Sequence, residues 1–309
     1  MRFIRYFIVL AIIALTPRIY AGDEASGSAA VLLSPSPVVI LVPPTVLENI
    51  RAILHTDESP ETFDDFARAG VSRDMTDYVL LRRALVLGGN KYPVVAEPWF
   101  DVSYDRVVLR LRSGHATVFS NGIWREDIAA NDQQLKTSSP LFRYGEMEVG
   151  LYMSPKNPKL HTTKTLEDVR KLTTVSSKQW RPDWNALKGL GLAAVHDNVY
   201  WESMVKMVHT QRVDFMLSGF SSRDDLSYQA MGITLVPVQG LKVKLAGSRA
   251  WAVSLTHSAG VEAYAAIEKG LAVLREQGVI VRAYSSSGVI NERVADWKVL
   301  NPELYNNNK

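Results

Sequence analysis

Short apolar segments alternate with amphipathic segments along most of the chain. Between residues 76 and 87, Tyr78, Leu81 and Leu85 share one face at helical spacing, and Gly88 and Gly89 end the segment. The same reasoning predicts strands at 50–55, 92–96, 116–119, 146–154, 173–176, 192–195, 213–217, 234–238 and 249–254. It predicts one further helix that Ser103 caps, and others at 166–172, 182–190, 199–209 and 264–274.

This alternation of strands and helices with short connections predicts an α/β fold. The expected sheets are mixed, mostly parallel and flanked by helices. Because ligands of such sheets bind outside the carboxyl ends of the strands, the residues that directly follow a predicted strand are the first candidates for a site.

The N-terminus predicts export. Two arginines precede an apolar run at 6–15, and Ile19-Tyr20-Ala21 offers a cleavage site, so residues 1–21 are interpreted as a signal peptide. Residues 22–49, rich in Gly, Ser, Ala and Pro, are interpreted as a leader or linker that contains at most one strand. The apolar run is too short to span a membrane and the chain has no cysteine to carry a lipid, so we expect a periplasmic protein without lipid anchor or stable membrane insertion.

Charge and composition exclude several classes of function. Without residues 1–21 the chain has 32 Lys and Arg against 32 Asp and Glu, so the charge pattern of a nucleic-acid-binding domain is missing. There is no cysteine, and the six histidines show no metal-ligand spacing, so no metal is expected. The sequence also has no P-loop, dinucleotide fingerprint or GxSxG elbow, so neither a cofactor nor catalysis is predicted.

The stretch HATVFSNGIWREDI, residues 115–128, contains the strongest candidates for ligand contact. A predicted strand ends there in Ser120, Asn121, Trp124 and Arg125. The guanidinium of Arg125 could bind a carboxylate or phosphate, or it could pair with an adjacent acid and hold the loop. The indole of Trp124 could stack on a ligand or cover the core.

Four further residues lie at the end of a predicted strand or just after one: Trp99, Ser176, Ser218 and Glu58. Trp99 has the same two interpretations as Trp124. Ser176 could offer an anion its hydroxyl or act as an ordinary cap. Glu58 could meet a cationic group or remain solvated. Ser218 precedes Arg223 by five residues, as Ser120 precedes Arg125, which suggests two similar lobes with equivalent strand ends; alternatively Arg223 pairs with a neighbouring acid.

Several segments resemble the type 2 periplasmic binding proteins, the extracellular solute-binding family 3. They are DYVLLRRAL before YPVV, WRED, SSPLFRYGEMEVGLYMSP, KTLEDVRKL and WESMVKMVHTQRVDFMLSG. The resemblance covers residues 50–300 and implies two lobes, 50–152 with 251–309 and 153–250. It places the two crossings near 151–155 and 251–254.

The resemblance also implies a function. It predicts a monomeric, non-enzymatic solute-binding protein that captures a small anionic or zwitterionic ligand between its lobes and delivers it to an ABC-type membrane permease. The alternatives are a sensor subunit for a membrane receptor and an enzyme on the same fold. The family's ligand-binding Thr and Asp positions correspond to Gly122 and Gly219 here, which disfavours a standard α-amino acid as ligand.

Overall fold

The computed structural model describes residues 36–100 and 103–303. The predicted signal peptide and the first half of the predicted leader, residues 22–35, lie outside the described residues. The helices are α1 (Pro44–Ile53), α2 (Arg73–Leu87), α3 (Tyr104–Arg112), α4 (Leu166–Arg170), α5 (Arg181–Gly189), α6 (Trp201–His209), α7 (Gly260–Glu276) and α8 (Val279–Ser286).

Two mixed sheets form the framework. The strands are β1 (Val38–Val42), β2 (Val94–Pro98), β3 (Val118–Phe119), β4 (Ile123–Trp124), β5 (Leu135–Thr137), β6 (Glu148–Met153), β7 (Thr173–Ser176), β8 (Ala194–Asp197), β9 (Phe215–Ser218), β10 (Tyr228–Ala230), β11 (Ile233–Lys244), β12 (Arg249–Ala250), β13 (Ala252–Ser254) and β14 (Lys298–Val299). Sheet A has the order β2-β1-β3-β13-β5, and sheet B has the order β10-β11-β6-β9-β7-β8 with β14 beside β11. A two-stranded ribbon joins β4 and β12.

The two sheets share an arrangement, and the predicted α/β fold with helix-flanked sheets is confirmed. In sheet A, β2, β1 and β3 are parallel and β13 is antiparallel to β3. In sheet B, β8, β7 and β9 are parallel and β6 is antiparallel to β9. The strands β3 and β9 therefore occupy equivalent places. We refer to sheet A with the β4–β12 ribbon, the turn that follows β4 and α1, α2, α3, α7 and α8 as half A, and to sheet B with α4, α5 and α6 as half B.

Two predictions near the start of the chain need correction. The segment 50–55 is not a strand, because Val46, Leu47 and Ile50 form the buried face of α1, which begins with a proline in its first turn. The strand is instead Val38–Val42, inside the segment interpreted as a leader, and four of its five residues are buried in sheet A. A six-residue apolar run fits both a strand and part of a helix.

Within the described part of the chain, three passages lead from one sheet to the other. The chain leaves sheet A after β5 and enters sheet B at β6, and it returns between β11 and β12. The predicted crossings at 151–155 and 251–254 instead overlap β6 and β13, whose residues are paired with neighbouring strands. The third passage follows α8 and ends in β14 on sheet B.

Half A is held together by a close helix contact. A methyl group on Gly88, which directly follows α2, would lie 1.8 Å from the carbonyl oxygen of Ala266 on α7, and one on Gly270 of α7 would lie 1.9 Å from the carbonyl oxygen of Ala84 on α2. Glycine at both positions therefore allows the helix backbones to touch. This contact fixes the position of α2 against α7, and the first turn of α2 carries the charged side chains of Arg73 and Asp74. Within the described part of the chain, none of the helices combines the length and apolarity that a membrane span requires.

Candidate functional site

Charged side chains from both halves converge on one region between the sheets. We call this set the cleft cluster: Arg73, Asp74, Asp77 and Arg249 from half A, and Asp183 and Tyr228 from half B. Arg73 and Arg249 both lower the pKa of Asp183, and Asp74 raises the pKa of Tyr228. These electrostatic effects cross from one half to the other, so the groups lie close enough to interact across the boundary between the halves. We refer to the region between the two halves that these side chains border as the cleft.

Asp77 organises the wall on half A. Its carboxylate accepts a hydrogen bond of 2.9 Å from the backbone N–H of Gly122 and one of 2.6 Å from the hydroxyl of Tyr284 on α8. Burial raises the pKa of Asp77, and the positive charges of Arg249 and Arg73 oppose that rise. One carboxylate therefore holds α2, α8 and the loop between β3 and β4 together.

Arg249 lies beside Asp77 on the β4–β12 ribbon. It is paired in register with Trp124, and its guanidinium lies over the Trp124 ring, 5.0 Å from the centroid. One Nη group donates a hydrogen bond to the carbonyl oxygen of Gly122. Burial lowers the pKa of this arginine, with a further contribution from Arg73. Stacking and hydrogen bonding thus fix the guanidinium in one orientation.

Arg73 begins α2, directly after Ser72, whose hydroxyl caps the helix. Its Nε and one Nη donate to the carboxylate of Asp74 at 2.9 and 2.6 Å. The guanidinium has many protein atoms around it, and 31% of the side chain is accessible to solvent. Arg73 is therefore partly buried and can still be reached from solvent. Its other Nη has no hydrogen-bond partner among the described residues and remains available to a ligand.

The wall on half B contains fewer bonds. Asp183 lies in the first turn of α5, and burial raises its pKa to about 6 despite the two arginines opposite. The indole N–H of Trp124 also stabilises the ionised carboxylate. Within residues 36–100 and 103–303, Asp183 forms no ion pair within 4.0 Å. Tyr228 packs edge to face on Trp201, and burial raises its pKa.

Tight packing brings α5 against half A. A methyl group on Gly247 would lie 2.8 Å from both the ring of Pro182 and the ring of Trp124. Glycine here allows the start of α5 to approach the β4–β12 ribbon, which places Asp183 opposite Arg249. The geometry of the cleft therefore depends on a residue in the second crossing.

A groove marks the mouth of the cleft. It encloses about 320 Å³ and is lined by Tyr104, Asp105, Val108, Asp127, Lys178, Gln179 and Arg181. Arg181 of half B pairs with Asp127 of half A at 3.3 Å, and the backbone N–H of Asp105 donates to the side-chain oxygen of Gln179 at 3.5 Å. The Tyr104 hydroxyl donates to Asp127 and accepts from the backbone N–H of Trp124, which connects the groove with the cleft cluster.

Of the residues predicted from the β3 strand end, Trp124 borders the cleft cluster. Ser120 and Asn121 are buried, and the Ser120 hydroxyl donates to the side-chain oxygen of Asn121 at 2.8 Å. The carbonyl oxygen of Ser120 accepts the indole N–H of Trp251. These two residues directly precede Gly122, so they lie next to the cluster in the chain.

Arg125 lies elsewhere. Its backbone N–H donates to the carbonyl oxygen of Ser248, while its side chain is exposed and its charge acts on Tyr264 of α7. Arg223 in half B is likewise exposed and donates to the side chain of Gln229 at 2.8 Å. The two arginines that the sequence singled out therefore both lie outside the cleft cluster.

The remaining candidates are spread over the surface and the sheets. Trp99 is half-buried, and the guanidinium carbon of Arg110 lies over its ring at 5.7 Å from the ring centroid. Ser176 is buried at the end of β7, and Ser218 lies half-buried at the end of β9.

Glu58 lies in the loop before α2, where Arg68 holds both of its carboxylate oxygens at 2.6 and 2.9 Å. These hydrogen bonds and that of the His55 backbone N–H lower the pKa of Glu58 to about 2. The structure thus places Glu58 in a salt bridge of its own loop, away from the other candidates.

Sequence reasoning missed most of the cleft cluster. A signal was present for Asp77, which falls on the same helix face as Leu81 and Leu85, where an apolar residue is expected. Arg249 likewise opens the otherwise apolar segment RAWAV. In the described ranges, no three or more histidine or carboxylate side chains lie close enough together to hold a metal ion.

Comparison with known proteins finds likeness only among solved structures. Neither a family model nor a curated protein matches the sequence. An amino-acid ABC transporter substrate-binding protein from Streptococcus pneumoniae, bound to L-arginine, is 15% identical over 82% of this chain and 95% of that chain, with a TM-score of 0.49. An ancestral arginine-binding protein bound to arginine is 15% identical over 81% and 97%, with a TM-score of 0.47.

A third structure, the substrate-binding protein of an amino-acid ABC transporter, is 10% identical over 82% of this chain and 99% of that chain, with a TM-score of 0.49. Because these TM-scores lie below 0.5, no ligand and no site residue is transferred from these proteins. The site is defined by the contacts of this chain alone.

Proposed function

We propose that this protein binds a small zwitterionic solute in the cleft between halves A and B. The observation that carries the proposal is the close packing of α5 on the β4–β12 ribbon at Gly247, which sets Asp183 of half B opposite Arg73 and Arg249 of half A. A buried charge without a partner is costly, so a cleft that faces both signs of charge favours a ligand that supplies both.

The anionic group of the ligand is assigned to the two arginines. Arg73 retains an unused Nη group, and Arg249 is held in place by Trp124 and Gly122. A preorganised guanidinium binds carboxylate or phosphate oxygens with less loss of entropy than a flexible ammonium does.

The cationic group is assigned to Asp183. Its carboxylate has no ion-pair partner within 4.0 Å among the described residues, and burial keeps its pKa near 6. A cation on the ligand would stabilise the ionised form of this carboxylate. Closure of the halves would then bring Asp183 and Tyr228 onto a ligand already bound to half A.

The cellular role belongs to the same proposal. The N-terminal segment has the features of an export signal, and the sequence resembles solute-binding proteins of ABC transporters. We therefore assign the protein to the periplasm, where it would deliver its solute to a membrane permease.

Native mass spectrometry tests the binding function. The protein would be purified without refolding, and released small molecules would be identified. We expect one solute in a stoichiometric amount that carries both a cationic and an anionic group. If a purely anionic or uncharged solute is released, the role of Asp183 is wrong. If the protein is empty and a thermal-shift screen of amino acids, betaines, amines, acids and sugars gives no stabilisation, the binding function is wrong.

A further inference from the structure

The chain after α8 crosses from half A to half B and ends on sheet B. We propose that this segment, residues 287–301, is a strap that fastens the loop between β9 and β10 to half A and so positions Tyr228 in the cleft. The strap begins beside Tyr284, whose hydroxyl donates to Asp77 of the cleft cluster. The inference goes beyond the proposed function, because it concerns how the two halves are held and does not depend on the identity of the ligand.

The strap turns at Gly288. This residue has a φ of +81°, and a methyl group on it would lie 2.2 Å from the backbone nitrogen of Ser222 and 2.3 Å from the carbonyl carbon of Ser221. Only glycine allows the backbone of the strap to touch the backbone of the β9–β10 loop. The end of α8 is therefore in direct contact with half B at this point.

Two side chains of the strap then bind main-chain carbonyl groups of the loop. The Asn291 amide donates to Ser221 at 3.0 Å. The Arg293 guanidinium donates to Arg223 at 2.8 Å and to Ser222 at 3.2 Å. These three consecutive carbonyl oxygens are thus held by two residues, which restricts the loop to one position.

Beyond Arg293 the strap is anchored in half B. Trp297 packs edge to face on Phe220 of the loop, with 5.5 Å between ring centroids. The buried ammonium of Lys242 donates to the carbonyl oxygen of Val294 at 2.8 Å and pairs with Glu148.

The strap ends in backbone pairing. β14 lies parallel to β11, and Asn301 exchanges two hydrogen bonds of 2.8 and 3.0 Å with the backbone of Lys244. The strap therefore contacts the β9–β10 loop and sheet B along most of its length.

The loop held by the strap leads directly to the cleft. The Ser221 hydroxyl donates to the carbonyl oxygen of Ser227, and the Tyr152 hydroxyl donates to that of Leu226. Tyr228 is the next residue in the chain, and the charges of Asp74 and Arg73 in half A act on its hydroxyl group. A continuous set of contacts therefore runs from Asp77 through Tyr284, the strap and the loop to Tyr228.

Spin labels on the two halves measure the effect of releasing the strap. The chain has no cysteine, so Ala272→Cys on α7 and Lys188→Cys on α5, both exposed positions, give two unique labelling sites. We expect Asn291→Ala combined with Arg293→Ala to broaden the distance distribution between the labels and to shift it to longer distances. The control pair Glu292→Ala and Lys298→Ala, at exposed positions of the same segment, should leave the distribution unchanged. An unchanged distribution in the Asn291 and Arg293 variant would overturn the proposal.

Hydrogen exchange provides a second measurement, and its first comparison uses the unmodified protein alone. In the unmodified protein we expect amides of residues 219–227 and of the strap to open together, at similar protection. In the Asn291→Ala and Arg293→Ala double variant, amide exchange in residues 219–227 should be roughly tenfold faster, because this loop loses the hydrogen bonds that the two side chains donate to it. A loop that exchanges much faster than the strap in the unmodified protein would show that the two segments are independent and would overturn the proposal.

Discussion

The two walls of the cleft differ in how firmly their charged groups are held. On half A, Asp77 accepts two hydrogen bonds from distant parts of the chain, and Arg249 is both stacked and hydrogen bonded. On half B, Asp183 and Tyr228 have few polar contacts, and burial disfavours the ionised form of each.

This difference indicates a division of roles. A wall whose polar groups are already satisfied can bind a ligand without rearrangement, which reduces the entropy lost on binding. In the proposed function, the Asp183 carboxylate, which has no ion pair among the described residues, gains a cationic partner when the ligand binds, so its charge favours the closed form. Half A would then be the preorganised surface, and half B would respond to the ligand.

The largest expected effect concerns the firm wall. Asp77→Ala leaves the N–H of Gly122 and the hydroxyl of Tyr284 without their buried acceptor. We expect the free energy of unfolding to fall by about 2–4 kcal/mol, because each unsatisfied buried donor is costly. Urea denaturation measures this loss. The control Asp57→Ala changes an exposed loop carboxylate and should remain within about 0.5 kcal/mol of the unmodified protein. A loss below about 1 kcal/mol for Asp77→Ala would show that half A is not organised by this residue.

Removing the charge of Asp183 on half B should have the opposite effect and increase the free energy of unfolding. The pKa of Asp183 is raised from 3.8 to about 6 on folding, so the folded protein binds more protons between these values. Its contribution to the free energy of unfolding is therefore greatest below about pH 4 and is lost as the pH rises through about 6. We expect Asp183→Asn to raise the free energy of unfolding by roughly 1–2 kcal/mol at pH 8 and to have no effect near pH 4.

The same substitution should weaken ligand binding. Affinity of the unmodified protein for its released solute should fall as the pH drops through about 6, because Asp183 then becomes neutral. Asp183→Asn should bind more weakly at pH 8 and lose this pH dependence, as measured by calorimetric titration. Asp296→Asn, an exposed carboxylate, provides the control. A variant that is more stable but binds equally well would separate Asp183 from the site.

The smallest expected effect concerns the contact between the walls. Trp124→Phe keeps an aromatic ring beneath Arg249 but removes the N–H that stabilises the ionised carboxylate of Asp183. We expect the midpoint of the pH dependence of stability to rise by roughly 0.5–1 pH unit. Trp99→Phe is a matched control, since the indole nitrogen of Trp99 has no hydrogen-bond partner among residues 36–100 and 103–303. Equal midpoints in the two variants would contradict the assigned contact.

Local patterns in the sequence predicted much of the framework. The helix at α2 and the strand at β7 have clear periodicity and defined ends, and both were found where expected. The segment 50–55 was assigned wrongly because a short apolar run has no distinctive period.

The site was harder to predict, because its contacts are not local. Asp77 meets Gly122 across 45 positions and Tyr284 across 207. Only folding shows that Asp183 faces Arg249. Trp124 was found because it lies just after a predicted strand. The ligand role of Arg125 stays a prediction.

Retention of the co-purified solute by Arg73→Ala and Arg125→Ala tests the central claim most directly. Arg73 lines the cleft, whereas Arg125 is exposed near Tyr264. Loss of one charge-assisted bond should weaken binding by about 1.5–3 kcal/mol, so native mass spectrometry should find the solute depleted in Arg73→Ala and fully retained in Arg125→Ala. Depletion in Arg125→Ala with full retention in Arg73→Ala would contradict the account and move the site to the end of β3.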